Sequence, residues 1–207
     1  MTLTVNDVYQ AIQAGDVSLA FDTSAMSRGG FIPLCERVTR INVKRDALGL
    51  PGKIKLCIPA VAYTERLFHM AQEYGDEYNI DVVHHTLSRF QIMVPDFTDL
   101  DAEYCAELLA QRYGTPAEWY AFKKRRCLEC VGLPPRYYDE AQGTGQQCGA
   151  PNDWLIIAQA SHEGMLLVMD DEGRGGEYDL VARQARSSVV RDALERLLKE
   201  LLKELIE

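Results

Sequence analysis

Short apolar runs alternate with longer segments of helical periodicity over the first half of the chain. Runs at residues 17–21, 54–59 and 91–94 have the length and composition of buried β-strands. Between and after them, apolar residues recur every three or four positions, which predicts helices at residues 4–14, 34–43, 60–74, 77–89 and 99–113. Asp99 is the expected cap of the last of these helices. Repeated strand–helix units predict an α/β fold in which helices flank a parallel sheet.

The same alternation returns at residues 152–171, where a helix with an apolar face leads into a five-residue apolar run. Asp153 is expected at the start of that helix, where a carboxylate faces the positive end of the helix dipole. Residues 165–169 predict a strand buried on both faces, and Asp170 and Asp171 follow it. Open parallel sheets keep their binding crevices at the C-terminal ends of their strands. This end of the predicted strand is therefore a candidate binding edge.

Two more elements are predicted toward the C-terminus. Residues 187–190 are interpreted as a short last strand, and residues 191–207 as a C-terminal amphipathic helix. Leucines recur at helical spacing along that helix, with lysines and glutamates opposite them. Such a stripe usually covers a core, but a terminal helix this rich in leucine is also suited to pairing with a second copy of the chain.

Residues 114–151 depart from the alternation, and we interpret them as an insertion within a single domain that spans residues 1–207. The insertion has helical character and carries the densest basic cluster of the chain: Lys123, Lys124, Arg125 and Arg126. Basic residues interleaved with aromatic ones suit a single-stranded nucleic acid, whose phosphates pair and whose bases stack. A helix that packs its aromatic residues inward and turns its charges to water explains the pattern equally well.

Three cysteines of the insertion have part of the spacing of a zinc site. Cys127, Cys130 and Cys148 would supply three of four ligands, and the fourth would have to be Cys105 or a distant histidine. Helical spacing also puts Cys127 and Cys130 on one face without any metal. Structural Zn²⁺ is therefore the less favoured interpretation, and reduced thiols are expected.

Composition and charge narrow the functional classes. The chain has 207 residues and a formal net charge of −9, unlike the basic proteins that coat nucleic acid electrostatically. Residues 36–55 nevertheless hold six positive side chains against two acids, either as a solvated face or as a phosphate-contacting surface. No apolar run approaches the roughly 18 residues of a membrane span, and the N-terminus lacks a signal peptide's pattern. A cytoplasmic protein without membrane association is expected.

Four acids stand at predicted strand ends or helix starts: Asp22, Glu65, Asp153 and Asp171. Each alone has the ordinary explanation of a helix cap or a partner of the helix dipole. In this order, with their neighbours FDTS, PAVAYTERL, DWLIIAQA and LVMDD, they resemble the motifs of PIN-domain nucleases. The resemblance covers roughly residues 17–100 and 152–190. It implies a three-layer α/β/α fold with a central, mostly parallel sheet and a helical, cysteine-containing insertion before the third acid.

The resemblance also implies metal-dependent nuclease chemistry. The four acids would be the catalytic residues and would hold one or two Mg²⁺ or Mn²⁺ ions, the hard cations that oxygen ligands select. Asp171 is preferred by register as the last ligand, and Asp170 is held in reserve because Met169 replaces the family's usual threonine. Thr23 or Ser24 would position the phosphate, and the basic cluster of the insertion is a further candidate for substrate binding.

RNA is the first substrate hypothesis, because many small proteins of this class resemble the VapC-like toxins of toxin–antitoxin pairs. Toxins of this family commonly form dimers and are inhibited by a small antitoxin protein. The resemblance therefore implies a homodimer and a small antitoxin protein that blocks the acidic groove. One alternative is a PIN-like binding or assembly module that does not cleave, and another is a nuclease that acts on DNA. A haloacid-dehalogenase-like phosphatase is disfavoured because its first strand is followed by Asp-x-Asp, whereas this chain has Asp22-Thr23-Ser24.

Overall fold

A wholly parallel sheet of five strands forms the centre of the protein. The computed structural model describes residues 2–27, 29–121, 150–170, 181 and 183–204. The strands are ordered β3-β2-β1-β4-β5, and every neighbouring pair is parallel. They comprise β1 (Ser18–Phe21), β2 (Lys55–Cys57), β3 (Ile92–Met93), β4 (Leu166–Val168) and β5 (Gln184–Ala185). The predicted α/β class is confirmed.

Helices cover both faces of this sheet, as expected for a three-layer α/β/α fold. One group consists of α1, α3 and α8, which pack against one another, and the other contains α4, α6 and α7. The helices are α1 (Val5–Ala14), α2 (Thr23–Met26), α3 (Phe31–Ala47), α4 (Ala60–Tyr74), α5 (Ile80–Phe90), α6 (Asp99–Tyr113), α7 (Ala150–His162) and α8 (Ser187–Glu204). In the part of the chain that the structure describes, no helix is both long and apolar enough to cross a membrane.

Strand β1 lies at the middle of the sheet and determines where a crevice can form. It pairs with β2 on one side and with β4 on the other. The chain continues from β1 through β2 to β3 at one edge and from β4 to β5 at the opposite edge. At such a switch point the helices diverge above the C-terminal ends of the strands and leave a crevice. The backbone N–H of Asp22, the first residue after β1, donates to Val168 O at 2.9 Å, which keeps the ends of β1 and β4 together.

The predicted strand at residues 187–190 is wrong. These residues form the first turn of α8, and the last strand is β5, which is only two residues long. Met169 N donates to Ala185 O at 3.0 Å and so extends the β4–β5 pairing by one bond. Gln184 and Ala185 lie in no apolar run that would mark a buried strand, whereas Val189 and Val190 resemble a strand although they form part of a helix.

Two helix starts also differ from the prediction. Thr98 rather than Asp99 caps α6, in a capping box whose other member is Asp101. Helix α7 begins at Ala150, and Asp153 lies in its first turn, which confirms its predicted position at the helix start. The helix predicted at residues 77–89 begins only at Ile80, where Asn79 caps it, and a 3₁₀ turn at Gly75–Glu77 precedes it. Polar residues adjacent to a helix start compete for the cap, and the local backbone decides which of them is used.

The leucine stripe of the C-terminal helix covers the core of its own chain. Leu194, Leu197 and Leu201 are buried, and α8 packs on α1 and α3. The Tyr9 hydroxyl on α1 hydrogen-bonds Glu200, and the Arg196 guanidinium lies 3.8 Å from the centre of the Tyr9 ring. Most of the described part of the stripe is therefore buried within the protomer, although Leu202 is exposed, and the expected homodimer stays a prediction without an assigned surface.

Much of the basic run at residues 36–55 has structural partners. The guanidinium of Arg45 is buried and donates to Gln13 O at 3.0 Å, to Gly52 O at 3.1 Å and to Pro51 O. Arg37 pairs with Glu195 at 2.9 Å, and Lys53 pairs with Asp46 at 2.8 Å. Arg45 closes the loop before β2 against the end of α1, so it is not part of a phosphate-contacting surface.

A buried carboxylate ties the start of α6 to the end of α7. Asp101 is fully buried, and its carboxylate accepts hydrogen bonds from Thr98 N and Thr98 Oγ1, both at 2.8 Å. Its other oxygen lies 2.8 Å from Nδ1 of His162. Burial alone would raise the pKa of Asp101, but the hydrogen bonds of Thr98 and His162 outweigh burial and lower it.

This pair makes a pH-dependent contribution to stability. Because the pKa of Asp101 is lowered on folding, its contribution is complete above the ordinary value of 3.8 and is lost as the pH falls through the lowered value. Asp101→Asn is expected to lower the free energy of unfolding at pH 7 by about 1.5 kcal/mol, the usual value of a hydrogen bond to a charged group. Urea unfolding at several pH values should show the difference shrinking below pH 4. Asp99→Asn, an exposed change in the same turn, is the matched control; an equal loss in both variants would contradict the assignment.

Candidate active site

The first acid is buried where β1 ends. Asp22 is 4% exposed and forms the N-cap of α2, with Oδ2 accepting from Ser24 N at 3.2 Å and from Ser24 Oγ at 2.7 Å. Burial raises the pKa of Asp22, the nearby charge of Glu65 raises it further, and the hydrogen bonds from Ser24 and Thr23 only partly oppose this. A carboxylate held in this way is costly to ionise unless a cation or another charge partner compensates it.

Two donors from different parts of the chain hold the second acid. Glu65 lies in the second turn of α4, which begins three residues after β2. Its Oε2 accepts from Thr23 Oγ1 at 2.6 Å, and its Oε1 accepts from Asn152 Nδ2 at 2.5 Å. The carboxylate thereby links the first turn of α2, helix α4 and the start of α7. We call Asp22, Glu65, Thr23, Ser24 and Asn152 the carboxylate site.

Asn152 was not identified from the sequence, although it immediately precedes Asp153. An asparagine at a helix start is ordinarily a capping residue, and nothing in its local pattern indicates that it reaches a glutamate 87 positions earlier in the chain. The only available signal was its position next to one of the four acids. Such a residue orients a carboxylate by donating a hydrogen bond, which is the usual role of the shell that surrounds catalytic side chains.

Helix α4 is fixed to the sheet by a buried glutamine on α7. Gln159 is fully buried; its Oε1 accepts from Ala60 N at 3.0 Å, and its Nε2 donates to Pro95 O at 3.2 Å and to Asp96 O at 2.9 Å. Ala60 is the first residue of α4, so this amide satisfies an N–H that the helix leaves unpaired. Gln159 thus determines where the helix that carries Glu65 begins.

The acidic doublet after β4 is described only in part. Asp170 N donates to Ser24 Oγ at 3.0 Å, and Asp170 Oδ1 accepts from Ser187 N at 3.0 Å. One oxygen of Asp170 therefore holds the first turn of α8, while its backbone is joined through Ser24 to Asp22. Asp171, the preferred last acid, lies outside the described residues.

The structure brings two of the predicted acids into electrostatic contact and leaves the other two unassigned. Asp153 is partly buried in the first turn of α7, next to Asn152. Neighbouring helical residues project about 100° apart, so the contact between Asn152 and Glu65 does not place Asp153 on that carboxylate. Among the described residues, no group of three or more histidine, cysteine, aspartate or glutamate side chains has a metal-holding arrangement. Asp22 and Glu65 lie near each other, and the predicted four-acid metal site stays a prediction.

Thr23 and Ser24, predicted to position phosphate, both bond within the carboxylate site. The Thr23 hydroxyl donates to Glu65 and the Ser24 hydroxyl donates to Asp22. These contacts orient the two acids, and a direct role toward phosphate stays a prediction. The predicted substrate-binding cluster of Lys123, Lys124, Arg125 and Arg126 lies outside the described residues.

Of the cysteines named in the zinc hypothesis, Cys105 lies in the described part of the chain. Cys105 is buried in the core, where its thiol lies 3.7 Å from Trp154 O, and burial raises its pKa. Cys35 and Cys57 are free, buried thiols on α3 and β2, and burial raises the pKa of Cys35 to about 12. Protonated core thiols of this kind are inert. Cys127, Cys130 and Cys148 lie outside the described residues, so their role stays a prediction.

Two cavities border this region. The larger, of about 370 Å³, lies between the α2–α3 turn, α4 and α5, and its walls are mainly apolar, with Phe31, Tyr63, Leu67 and Val83 among them. None of the carboxylates that form the site lines it. The smaller, of about 260 Å³, lies where the α2–α3 turn meets the start of α8 and includes Asp170. Asp170 on the wall of the smaller cavity is joined to the carboxylate site through Ser24.

The chemistry of the donor set is that of a hard-cation site. Asp22 and Glu65 offer only oxygen atoms, and Thr23, Ser24 and Asn152 surround them with further oxygen-bearing side chains. Within the described residues, neither acid forms an ion pair with a lysine or arginine. Two adjacent carboxylates, one buried with a raised pKa, fit Mg²⁺ or Mn²⁺ better than Zn²⁺, which prefers nitrogen and sulfur ligands.

Comparison with known proteins finds similar chains among solved structures alone. No family model matches the chain, and no curated protein matches it. Among solved structures, that of VapBC2 from Rickettsia felis bound to a DNA fragment from its promoter has a TM-score of 0.42 and 18% sequence identity, over 82% of this chain and 97% of the other. At this distance the likeness does not assign a family, and function has to be inferred from the residues of the carboxylate site.

Proposed function

We propose that the protein is a divalent-metal-dependent endoribonuclease, with the carboxylate site as its active site. One observation carries the proposal: a buried aspartate and a doubly hydrogen-bonded glutamate lie within electrostatic reach of each other above the C-terminal ends of parallel strands. A charge arrangement that is unfavourable by itself is typical of a functional site, because a merely structural role would not require it. The position is also the one at which open parallel sheets bind ligands.

Asp22 and Glu65 would hold the ion, with Asp153 and Asp171 as proposed further ligands directly or through water. When bound, Mg²⁺ or Mn²⁺ would lower the pKa of a coordinated water and neutralise charge on the scissile phosphate, as one ion or as a pair. Asp171 is favoured over Asp170 because one Asp170 oxygen already accepts the Ser187 N–H at the start of α8. Asp170 remains the reserve ligand through its other oxygen.

The surrounding side chains prepare the two acids for this role. Ser24 fixes Asp22 with its backbone N–H and its hydroxyl, while Thr23 and Asn152 fix both oxygens of Glu65. Because hydrogen bonds already hold these carboxylates in place, less side-chain order has to be imposed when the ion binds. The raised pKa of Asp22 also means that protons compete with the ion at a higher pH than for an ordinary aspartate, so activity is expected to fall on acidification.

RNA is proposed as the substrate, with DNA as the alternative. A small antitoxin protein that covers the acidic groove and a homodimeric assembly are proposed partners on the strength of the sequence motifs alone. The second candidate function is a binding or assembly module without cleavage. It is less favoured because Asp22 and Glu65 are both present and oriented by hydrogen bonds, which a module without metal chemistry would not need.

The direct test is cleavage of labelled nucleic acid. Purified protein is incubated with end-labelled single-stranded RNA and DNA of the same sequence, with Mn²⁺, Mg²⁺ or EDTA. Metal-dependent cleavage of RNA that is lost in Asp153→Asn supports the proposal, and cleavage of DNA alone selects the alternative substrate. Cleavage that persists in EDTA contradicts the metal mechanism, and binding of RNA without any cleavage favours the binding module.

Asn152→Ala is expected to reduce cleavage by about tenfold without unfolding the protein. The change removes one of the two donors that orient Glu65, and loss of an orienting contact in a metal site typically costs 10- to 100-fold. Initial rates at several Mn²⁺ concentrations should show that more Mn²⁺ is needed for half-maximal activity. Asn79→Ala, which removes the cap of α5, is the control for loss of an asparagine at a helix start. Unchanged metal dependence in Asn152→Ala would contradict the orienting role.

A further inference from the structure

The cavity of about 260 Å³ at the start of α8 has a chemistry opposite to that of the carboxylate site. Its lining includes Arg186, Arg191, Ser187 and Ser188, together with the single acid Asp170. Arg186 precedes α8 and Arg191 lies one turn into it, so both guanidinium groups belong to the helix end where the backbone N–H groups are exposed. In a protein with a formal net charge of −9, two arginines around one cavity are a local exception.

The cavity also holds a donor without a partner. The hydroxyl oxygen of Ser187 is shielded from water and forms no hydrogen bond with any residue that the structure describes. Unpaired buried hydroxyls are uncommon in folded proteins, and one at a cavity wall can be satisfied by an oxygen atom of a ligand. Asp170 contributes a carboxylate to the same wall, but the Ser187 N–H already donates to its Oδ1 at 3.0 Å, which partly offsets its charge.

A short chain of hydrogen bonds joins this cavity to the carboxylate site. Ser24 Oγ donates to Asp22 Oδ2 at 2.7 Å and accepts from Asp170 N at 3.0 Å, and the Asp170 carboxylate reaches the first turn of α8. Three successive hydrogen bonds, through Ser24 and Asp170, therefore connect Asp22 to Ser187, the first residue of α8. A nucleic-acid strand presents one phosphate per nucleotide, so a strand whose scissile phosphate lies at Asp22 carries a further phosphate next to it.

We infer that the cavity lined by Arg186, Arg191 and Ser187 binds an internal phosphodiester of the RNA strand next to the one that is cleaved. The inference rests on the proposed nuclease function and extends it by assigning the path of the strand toward α8. Arginine suits this task because its guanidinium stays charged and can donate two parallel hydrogen bonds to a phosphate. The Ser187 hydroxyl and the positive end of the α8 dipole add to the attraction.

Binding of inorganic phosphate tests the site without relying on catalysis. Isotope-labelled wild-type protein in EDTA is titrated with phosphate while backbone amide resonances are followed by NMR. Shifts that saturate and are largest at residues 186–191 support the inference, and they should disappear in the Arg186→Gln/Arg191→Gln double variant. Shifts of equal size over the whole surface mean that phosphate binds as an adventitious ion only. That result, or the lack of any shift near α8, overturns the inference.

RNA binding then tests whether the site serves the substrate. An oligoribonucleotide with hydroxyl groups at both ends is titrated against Asp22→Asn protein in Ca²⁺ at several salt concentrations. Removing both arginines is expected to weaken binding roughly tenfold or more and to flatten the slope of log affinity against log salt by about 0.7 for each lost phosphate contact. Lys199→Gln on the same helix removes an exposed charge outside the cavity and should leave the slope nearly unchanged.

The two proposals fail in different ways. If wild-type protein cleaves RNA and the double arginine variant has an unchanged Michaelis constant and salt slope, the phosphate site is wrong and the nuclease function stands. If phosphate binds at residues 186–191 but RNA is neither cleaved nor bound, the anion site exists and its assignment to an RNA strand is overturned together with the nuclease proposal. A Michaelis constant raised about tenfold with kcat within about twofold of wild type supports both.

Discussion

Asp22→Asn is expected to reduce metal-dependent RNA cleavage by more than about 100-fold while the protein stays folded. Loss of a metal-holding carboxylate should remove about 3 kcal/mol of transition-state stabilisation, and each tenfold in rate corresponds to about 1.4 kcal/mol. Asparagine retains the oxygen that accepts the Ser24 N–H, so the cap of α2 is kept. The decisive measurement is the single-turnover cleavage rate at saturating Mn²⁺.

The same substitution should make the metal-free protein more stable at neutral pH. Burial raises the pKa of Asp22 on folding, so the folded protein binds a proton more tightly than the unfolded chain does. Stability therefore falls as the pH rises from the ordinary value of 3.8 through the raised pKa, and it recovers as the pH is lowered again. Asp22→Asn removes this dependence, which urea unfolding in EDTA at a series of pH values will show.

Asp81→Asn is the matched control for both measurements, because Asp81 is an exposed acid in the first turn of α5. It should change neither the cleavage rate nor the pH dependence of stability by a measurable amount. Cleavage by Asp22→Asn at the wild-type rate would eliminate the carboxylate site as the active site. If the variant loses both activity and fold, Asp22 is needed as a helix cap. The folded fraction measured as a function of pH then distinguishes the capping role of Asp22 from its proposed role as a metal ligand.

Gln159→Met should destabilise the protein by about 3 kcal/mol, the largest effect on stability expected for a polar side chain here. Methionine fills a similar volume but leaves the Ala60 N–H and the carbonyl oxygens of Pro95 and Asp96 without their partner. Each buried polar group left unpaired costs about 1–3 kcal/mol, and carbonyls retain some alternatives. For a chain of this length the loss corresponds to a fall in Tm of about 6–12 °C.

Gln159→Met is also expected to affect cleavage, since Gln159 determines where the helix that carries Glu65 begins. A reduction of about tenfold at a temperature where the variant is folded is the expected result, because displaced ligands bind the ion less well. Thr64→Ala is the control: its hydroxyl bonds Ala60 O on the same helix but is exposed, so a loss below about 0.5 kcal/mol is expected. If Gln159→Met also lowers the free energy of unfolding by less than about 0.5 kcal/mol, water has replaced the Gln159 amide as the hydrogen-bond partner.

The carboxylate site lowers the stability of the fold through a buried charge that the proposed function requires. Asp22 is buried near another acid, where its charge is unfavourable, and the surrounding fold has to compensate for it. Gln159 and Asp101, by contrast, are buried polar groups whose hydrogen-bonding capacity is largely satisfied. Gln159 and Asp101 thus stabilise the fold, whereas Asp22 is the residue that we propose to bind a ligand.

Much of the fold could be predicted from local pattern. The alternation of apolar runs with helical periodicity was sufficient for the α/β class, for four of the five strands and for the order of the helices, because each of those signals lies within a few neighbouring residues. The same pattern placed Asp22 directly after the first strand and Glu65 near the start of the helix that follows the second strand. The fifth strand was missed because Gln184 and Ala185 lie in no apolar run, unlike the equally short β3.

Tertiary structure alone decided how these residues meet. The hydrogen bond between Asn152 and Glu65 spans 87 positions, the one between Thr23 and Glu65 spans 42, and both depend on the strand order that places β1 between β2 and β4. The burial of Asp22, the junction that Gln159 forms and the arginine-lined cavity at α8 arise in the same way. Sequence periodicity determines which face of an element is apolar, whereas contacts between polar side chains depend on how the elements are packed, and that information is not contained in any single segment.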